Sequence, residues 1–538
     1  MEESFADTTD AVDAVSGAEL PLNLCDYLVY RHIREGRGDS LSLLYKDSKL
    51  TYSQTADLVS RSAAVLWAQG VRPGDRVLLL LPDTPAFVTL FFGILQVGGI
   101  VVPLNPGLDG EEVHHISVHV GAKLAFVDET LRGKFSGLEA AGMSVITVGD
   151  CIGRRAAFEQ QAEQLAGSRN GARLQVERAP DAVAYILFSS GTTGSPKGIP
   201  HLHTDIIHCI KAYSLPVLNM SASDRVLAVP KLTFGYGLGG NLLSAFYVGG
   251  VSILVPEPSS RESIGEAAAR YSPTLFLGQP RLISNLLDGH FPEAFHDLRV
   301  AVSAGEVLAP ALYQRWRAKL DVELLDGFGS TEIGHVFISN RIGDVRYGCA
   351  GRVLDGFEVK ILDDTSAEVG PNTVGHLWIR GSSLASGYWN DPERTRQHFR
   401  DGWARTGDLF QYDEDGYYYA TGRSDDMIKA GCGQWIAPTE VEGLLMEDEA
   451  VSDCAVVGFA DNDGVVRPKA FIVLRFGLRP SVDIEERLKR MVAERWPDLP
   501  HKQLGAVEFA SSLPRSSTGK LQRFRLRPAT LTEFSYEC

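Results

Sequence analysis

"FSSGTTGSPKGIPH", residues 188–201, sets three glycines, two threonines and a lysine within the eleven positions from Phe188 to Gly198. A run this rich in glycine and hydroxyls cannot form the interior of a helix or strand. It follows "AVAYILF" (182–188), an unbroken apolar run that reads as a buried strand. The loop therefore leaves the C-terminal end of a strand, where open α/β sheets bind their ligands. Glycines let backbone N–H groups approach closely, hydroxyls add donors, and Lys197 adds a charge. Together they form a phosphate cradle. The spacing of Gly191, Gly194, Lys197 and Gly198 is not that of a P-loop. The plain alternative is a flexible surface loop.

Similar apolar runs recur on both sides of this stretch. They cover 77–81, 100–104, 123–127, 144–147, 226–229, 251–255, 274–277, 298–302 and 322–325, with helical stretches between them. Continuous rather than alternating hydrophobicity predicts strands covered on both faces, hence stacked α/β sheets. The most apolar stretch, 86–104, mimics a membrane span. Gln96, Gly98-Gly99 and Pro103 argue instead for a helix started at Pro85, capped by Asp83 or Thr84, and followed by a strand. From 351 the texture changes. "GFEVKILDD" and "GHLWIRGSS" alternate and end in turns, predicting a small antiparallel barrel or sheet over about 345–422. Beyond 423 the pattern is that of a small α+β unit. The expected organisation is an acidic tail (1–20), a large N-terminal α/β domain (21–422) and a smaller C-terminal domain (423–538).

The 538 residues carry a net charge of −16. That argues against a general nucleic-acid or anionic-membrane surface, so any anionic ligand must be held by local cations and N–H groups. Seven scattered cysteines without a CxxC predict reduced thiols and neither a zinc site nor a disulfide framework. The first nineteen residues hold six acidic residues and no Lys or Arg, the reverse of a secretory leader. The expectation is a cytoplasmic protein.

Three further segments carry chemistry. In "LLDGFGSTEIGHVF" (324–337) a glycine turn presents Ser330, Thr331 and Glu332, and a carboxylate beside hydroxyls can hold Mg2+ together with substrate phosphates. Glu332 as a helix cap is the alternative. In "WARTGDLFQYDEDGYYYATGR" (403–423) Asp408 follows a tight Thr-Gly turn and can accept both hydroxyls of a ribose, or be a plain turn aspartate. In "PRSSTGKLQR" (514–523) Lys520 sits on a glycine turn in the small domain, where a lysine is by default a surface residue.

In combination, "SSGTTGSPKG", "GSTE", "RTGDL", "GRSDDMIK" and "STGK" resemble the acyl-adenylate-forming superfamily of acyl-CoA ligases, luciferases and peptide-synthetase adenylation domains, from about 22 to 528. Within it, "PKLTFGYGLGGN" (230–241), "SAGEVL" (303–308) and "DGFGSTEIGHVFISN" (326–340) resemble aryl-CoA ligases of the benzoate and anthranilate type. The resemblance implies ATP, Mg2+ and coenzyme A, and a two-step reaction through an acyl-AMP. It implies that Ser189, Ser190, Gly191, Thr192, Thr193, Gly194 and Lys197 hold the β- and γ-phosphates, that Thr331 contacts the α-phosphate and that Glu332 binds Mg2+. Ala304, Gly305, Glu306, Asp326, Gly327 and Phe328 would flank adenine, and Asp408 and Arg423 the ribose. Lys520 would bridge the carboxylate and α-phosphate, Asp425 would be a domain hinge, and Gly431 or Gly433 would line a pantetheine tunnel. Phe234, Tyr236, Gly237, Gly239, Ala304, Gly329, Ile333, Gly334 and His335 match the aryl pocket. Benzoate ligases often carry a bulkier residue at Gly334, so its missing side chain is expected to leave room for an ortho substituent. His335 is either a substrate contact or a structural histidine. His201 and His203 are expected to be structural.

Two rival classes remain. "GYGLGG" (235–240) fits G-x-G-x-x-G and would indicate a dinucleotide-dependent oxidoreductase, although Pro230 and Lys231 occupy the place of the preceding strand. A non-catalytic nucleotide-binding module would need neither Lys520 nor Asp425. A ligase that loads carrier-protein phosphopantetheine shares the fold, since both thiols sit on the same arm.

Overall fold

The computed structural model describes residues 23–165, 176–179, 181–189, 196–289, 291–430, 434–461, 464–515 and 521–527. Two largely parallel sheets form the large domain. One has six strands in the order 144–148, 124–128, 76–80, 100–103, 183–189, 197–202. Its neighbours are all parallel except the last pair. The other has nine strands in the order 352–353, 336–339, 324–329, 300–304, 275–278, 225–228, 251–254, 41–45, 48–51. Its six central strands are parallel and its margins antiparallel. Each strand expected from an apolar run is present within two residues of its expected start.

Helix Pro85–Gln96 explains the membrane-like stretch. Thr84 caps it by accepting from the Phe87 N–H, Pro85 occupies its first position, and every one of its residues is buried. A helix apolar on all sides must be enclosed. This one shares a core with Val77 and Leu79 of the first sheet and with Val226, Leu277 and Val302 of the second. No helix among the described residues is long and apolar enough to cross a membrane.

A five-stranded antiparallel sheet follows, built from 357–362, 375–381, 399–400, 403–412 and 418–423. The smaller C-terminal domain pairs strands 451–460, 466–474 and 506–509 and packs helices 438–445 and 482–495 around its own core of Val441, Val456, Ile472 and Leu488.

Gly93 is where helix Pro85–Gln96 meets helix Tyr52–Ala68. A Cβ on it would stand 2.8 Å from Ser62 Cβ and 3.2 Å from the Ala63 backbone nitrogen. Overpacking of this kind costs about 1–3 kcal/mol, while alanine's better helix propensity returns at most about 1. Gly93→Ala should therefore lower the urea unfolding midpoint, and adding Ser62→Gly should restore part of the loss.

Candidate active site

The glycine-rich loop is not a strand-to-helix turn. Strand 183–189 pairs antiparallel with 197–202, with Ser189 opposite Lys197, so the loop is the connection of a hairpin. Residues Ser190 to Gly194 lie outside the described residues. Lys197, the first residue after the turn, points its Nζ over the Tyr388 ring, 5.1 Å from the centroid. Burial lowers the Lys197 pKa and nearby Glu332 counters it. The Tyr388 hydroxyl donates to Glu332 Oε1 at 3.0 Å. Glu332 caps no helix: residues 330–335 are the turn between antiparallel strands 324–329 and 336–339, in which Ser330 Oγ accepts from the Ile333 N–H. Among the described residues the Glu332 carboxylate takes part in no ion pair.

The segments expected around a nucleotide are neighbours in the sheet. Strands 300–304 and 324–329 run parallel with Ser303 opposite Asp326 and Ala304 opposite Gly327. Phe328 stacks edge-on against Phe410 at 4.7 Å, linking this sheet to the antiparallel one. Burial pushes the Asp326 carboxyl up to about 8, against the pull of the backbone N–H groups of Leu308 and Gly327. It is therefore neutral at pH 7. Asp408 is not the isolated carboxylate expected from its turn. It lies directly across the strand pair from Arg423, whose Nη1 is 3.3 Å from both carboxylate oxygens. Asp425 follows in a short 3-10 turn, its carboxylate 3.6 Å from Arg423 and its carbonyl accepting from Arg527.

On the other side of the 330–335 turn stand the residues expected around an aromatic acid. The Tyr236 hydroxyl donates to the Val302 carbonyl at 3.1 Å. Gly237 lies so close to the Pro230 and Lys231 carbonyls that no Cβ fits, and Gly239 likewise abuts the His335 ring. Gly329 is pressed against the His335 carbonyl in the same turn, while buried Ile333 accepts from Cys209 Sγ at 3.3 Å. His335 is buried among Tyr213 and Tyr236, with ring centroids at 5.6 and 6.1 Å. Neither of its ring nitrogens has a hydrogen-bond partner among the described residues. Burial lowers its pKa to about 4, so near neutral pH it is an uncharged donor or acceptor, not a cation.

Gly334 corrects the expectation of spare room. Its φ is +89°, and a Cβ there would meet His201 Cε1 at 3.1 Å and Nδ1 at 3.3 Å. The space beside it is filled by His201, whose ring stacks on Tyr185 at 5.0 Å. The Glu306 side chain reaches Arg515 of the small domain, 3.2 Å away. Gly305 bends the chain at that point with φ +91°. Gly431, Gly433 and Lys520 lie outside the described residues. Sequence reasoning missed Tyr388 and Arg515. The only signal for Tyr388 was an aromatic pair, Tyr388-Trp389, before the Asp391-capped helix 392–398. For Arg515 there was only its place five residues before Lys520.

The dinucleotide alternative fails on geometry. "GYGLGG" forms no strand-to-helix turn. Residues 235–237 are already helical and 238–243 continue as a π-helix toward strand 251–254. The free cysteines Cys25, Cys151, Cys209 and Cys454 are raised by burial, Cys209 to about 12, so they are protonated thiols.

These features define an α/β nucleotide-binding enzyme. Its cations, its carboxylates and the aromatic cluster around His335 converge on the loops between two sheets, with a small domain docked beside them. The AMP-binding enzyme family matches residues 30–389, and the AMP-binding enzyme C-terminal domain matches 440–520. Benzoate–CoA ligase of Thauera aromatica is 35% identical over 98% of this chain and 99% of its own. Anthranilate–CoA ligase of Pseudomonas aeruginosa is 31% identical over 90% and 92%. Among solved structures, the anthranilate CoA ligase AuaEII in complex with anthranoyl-AMP superposes with a TM-score of 0.88 at 33% identity, covering 95% and 97% of the two chains. The chain belongs to the AMP-binding enzyme family.

Two outcomes follow from the geometry. A carboxyl held at about 8 in the fold contributes stability fully below its ordinary value near 4, and loses it as pH rises to about 8. Asp326→Asn, which cannot ionise, should gain on the unaltered protein by up to ~1.4 kcal/mol per pH unit across that window. Urea midpoints at pH 5, 7 and 8.5 measure it; a constant difference would contradict the burial argument. Gly334→Ala should cost roughly 1–3 kcal/mol of stability through its backbone angle. Its activity loss should fall on benzoate and ortho-substituted acids alike. A loss confined to ortho-substituted acids would restore the spare-room explanation.

Proposed function

We propose that this chain is an ATP-dependent aryl-CoA ligase acting on a benzoate- or anthranilate-like acid. The observation that carries this reading is the 330–335 turn. One face of it sets Glu332 against Tyr388 and Lys197; the other sets His335 against Tyr236 and Gly239. A nucleotide and a flat apolar acid would thus be held by one six-residue loop. The near full-length likeness to benzoate and anthranilate CoA ligases supports the same chemistry.

In the first half, a carboxylate oxygen attacks the α-phosphorus of ATP and pyrophosphate leaves. In the second, the sulfur of coenzyme A attacks the acyl carbon and AMP leaves, forming the thioester. No protein nucleophile is needed; two anions must be brought together, so positioning and charge neutralisation carry the rate. We assign the 189–194 loop and Lys197 to the terminal phosphates, Thr331 to the α-phosphate, and the Ala304-Gly305 and Asp326 to Phe328 backbones to adenine. Asp408 and Arg423 take the ribose, and Lys520 the reacting carboxylate and phosphate. His335, neutral and unpartnered, would hydrogen-bond to the acid or its substituent. Glu332, whose carboxylate accepts from the Tyr388 hydroxyl and takes part in no ion pair among the described residues, suits Mg2+, which binds through one or two carboxylates plus substrate phosphates. The ion would neutralise phosphate charge there. Asp425 would be the hinge between domains 21–422 and 423–538, Gly431 or Gly433 would line the thiol's path, and the enzyme would work in the cytoplasm, where its thiols stay reduced.

ATP–pyrophosphate exchange with benzoate, anthranilate, salicylate and hydroxybenzoates tests the first half. Mass detection of the thioester with coenzyme A, and in parallel with a phosphopantetheinylated carrier protein, tests the second. Aromatic-acid-dependent exchange and an aroyl-CoA product are expected; transfer to the carrier protein alone would move the enzyme to the carrier-loading class. Glu332→Gln should lower exchange by about a hundredfold or more, the scale for losing one electrostatic contact to the transition state. Near-normal exchange would leave Glu332 a structural partner of Tyr388.

A further inference from the structure

The loop that carries Lys520 is closed by a bridge between Arg515 and Leu521, and the Gln522 N–H donates to the Pro514 carbonyl at 2.9 Å. Lys520 is thus the last residue before the closure. Arg515 at the base of that loop reaches in two directions. Its Nη2 lies 2.9 Å from both carboxylate oxygens of Asp453, on strand 451–460 of the small domain's own sheet. Its Nη1 lies 3.2 Å from Glu306 Oε1, two residues beyond strand 300–304 of the large domain.

The three side chains are mostly enclosed, at 15% exposure for Arg515, 18% for Asp453 and 34% for Glu306. Burial raises the Glu306 pKa, with the Arg515 charge pulling it back and Asp453 adding to the rise. One guanidinium therefore separates two carboxylates that belong to different domains. Without it the two carboxylates would repel each other, with Arg281 the remaining cation acting on Glu306. Another ion pair between the two domains, Arg475 with Asp288 at 3.3 Å, is more exposed and shares Asp288 with Arg315. It is the weaker tie.

We propose that Arg515 is a positioning residue for the first half-reaction: its ion pair with Glu306 pins the base of the Lys520 loop to the large domain while acid and ATP react. The role rests on the aryl-CoA ligase activity proposed above and extends it. Arg515 acts through the base of the loop, not on the reacting atoms. In the second half-reaction Lys520 has no task, so the pair is then dispensable.

The test uses the full chain and reads the two halves separately. Arg515→Ala and Arg515→Lys are assayed by ATP–pyrophosphate exchange with benzoate or anthranilate, and by conversion of supplied aroyl-AMP plus coenzyme A to thioester. Arg515→Ala should lower exchange tenfold or more while thioester formation stays within about twofold, and Arg515→Lys should recover part of the exchange. Glu306→Gln, which keeps the shape, should lower exchange to a similar degree, and the Arg515→Ala/Glu306→Gln double variant should be no worse than either single one. Should Arg515→Ala fail to fold, as read by its melting temperature, Glu306→Gln and Arg515→Lys still form the cycle. Equal loss in both halves, additive losses, or unchanged exchange would overturn the role. If the unaltered protein shows no aromatic-acid-dependent exchange, the activity falls and this role with it; exchange that the variants leave intact removes this role alone.

Discussion

The antiparallel pairing of strand 336–339 onto strand 324–329 is the constraint from which the site follows. The sheet runs parallel up to 324–329, which alone would carry the chain away from its C-terminal edge into a helix. Instead the chain folds back within six residues, with Gly329 opposite Val336 and a shift in register at the turn. That reversal holds Ser330 to His335 at the sheet's edge, beside the end of strand 300–304. A turn this tight needs residues that tolerate crowding. Gly329 is pressed against the His335 carbonyl, and Gly334 adopts a left-handed angle under His201. Glu332 and His335 lie three positions apart yet meet different neighbours, Tyr388 and Tyr236, because the turn has two faces.

Electrostatics explains the pairing of charges around this edge. A chain with net charge −16 must attract a polyanion with few cations, and each cation described here has a carboxylate beside it. Arg423 has Asp408, Arg515 has Glu306 and Asp453, and Lys197 feels Glu332. Burying an unpaired charge costs several kcal/mol, so pairing keeps the unliganded site affordable. Asp326 and His335, which have no ion partner, are held uncharged near neutral pH by burial. Charge around this edge is thus met in ion pairs, and these two buried groups add none.

Most of the scaffold was legible because it obeys hydrophobic periodicity. Strands buried on both faces read as unbroken Val/Ile/Leu runs, and helix Pro85–Gln96 announced itself by Thr84-Pro85. Strands 48–51 and 197–202 were not legible. "SKLT" and "KGIPHL" lie at sheet edges, where one side needs no partner and a proline is tolerated, so neither carries a strand signal. With 197–202 unread as a strand, the hairpin that holds the glycine-rich loop went unread as well. The motif residues were legible by type but not by contact. Nothing local tells that Glu306 faces an arginine 209 positions away, that Tyr388 reaches back 56 positions to Glu332, or that His201 fills the space under Gly334.

The seam between the two domains has a strength that suits a two-step reaction. An apolar seam of ordinary interface size would hold the small domain in one place, since burial yields about 25 cal/mol for each Å² covered. The small domain keeps its apolar residues for itself: Val441, Val456 and Leu488 form a core separate from the one that unites the two large sheets. What crosses from Arg515 and Arg475 are ion pairs, which are individually weak at the surface but demanding in geometry. Such contacts define one orientation without making it irreversible. A guanidinium shared between Asp453 and Glu306 goes further, because releasing Glu306 still leaves Arg515 paired within its own domain. The cost of undocking is then limited to one carboxylate that regains water, rather than a buried cation left without a partner.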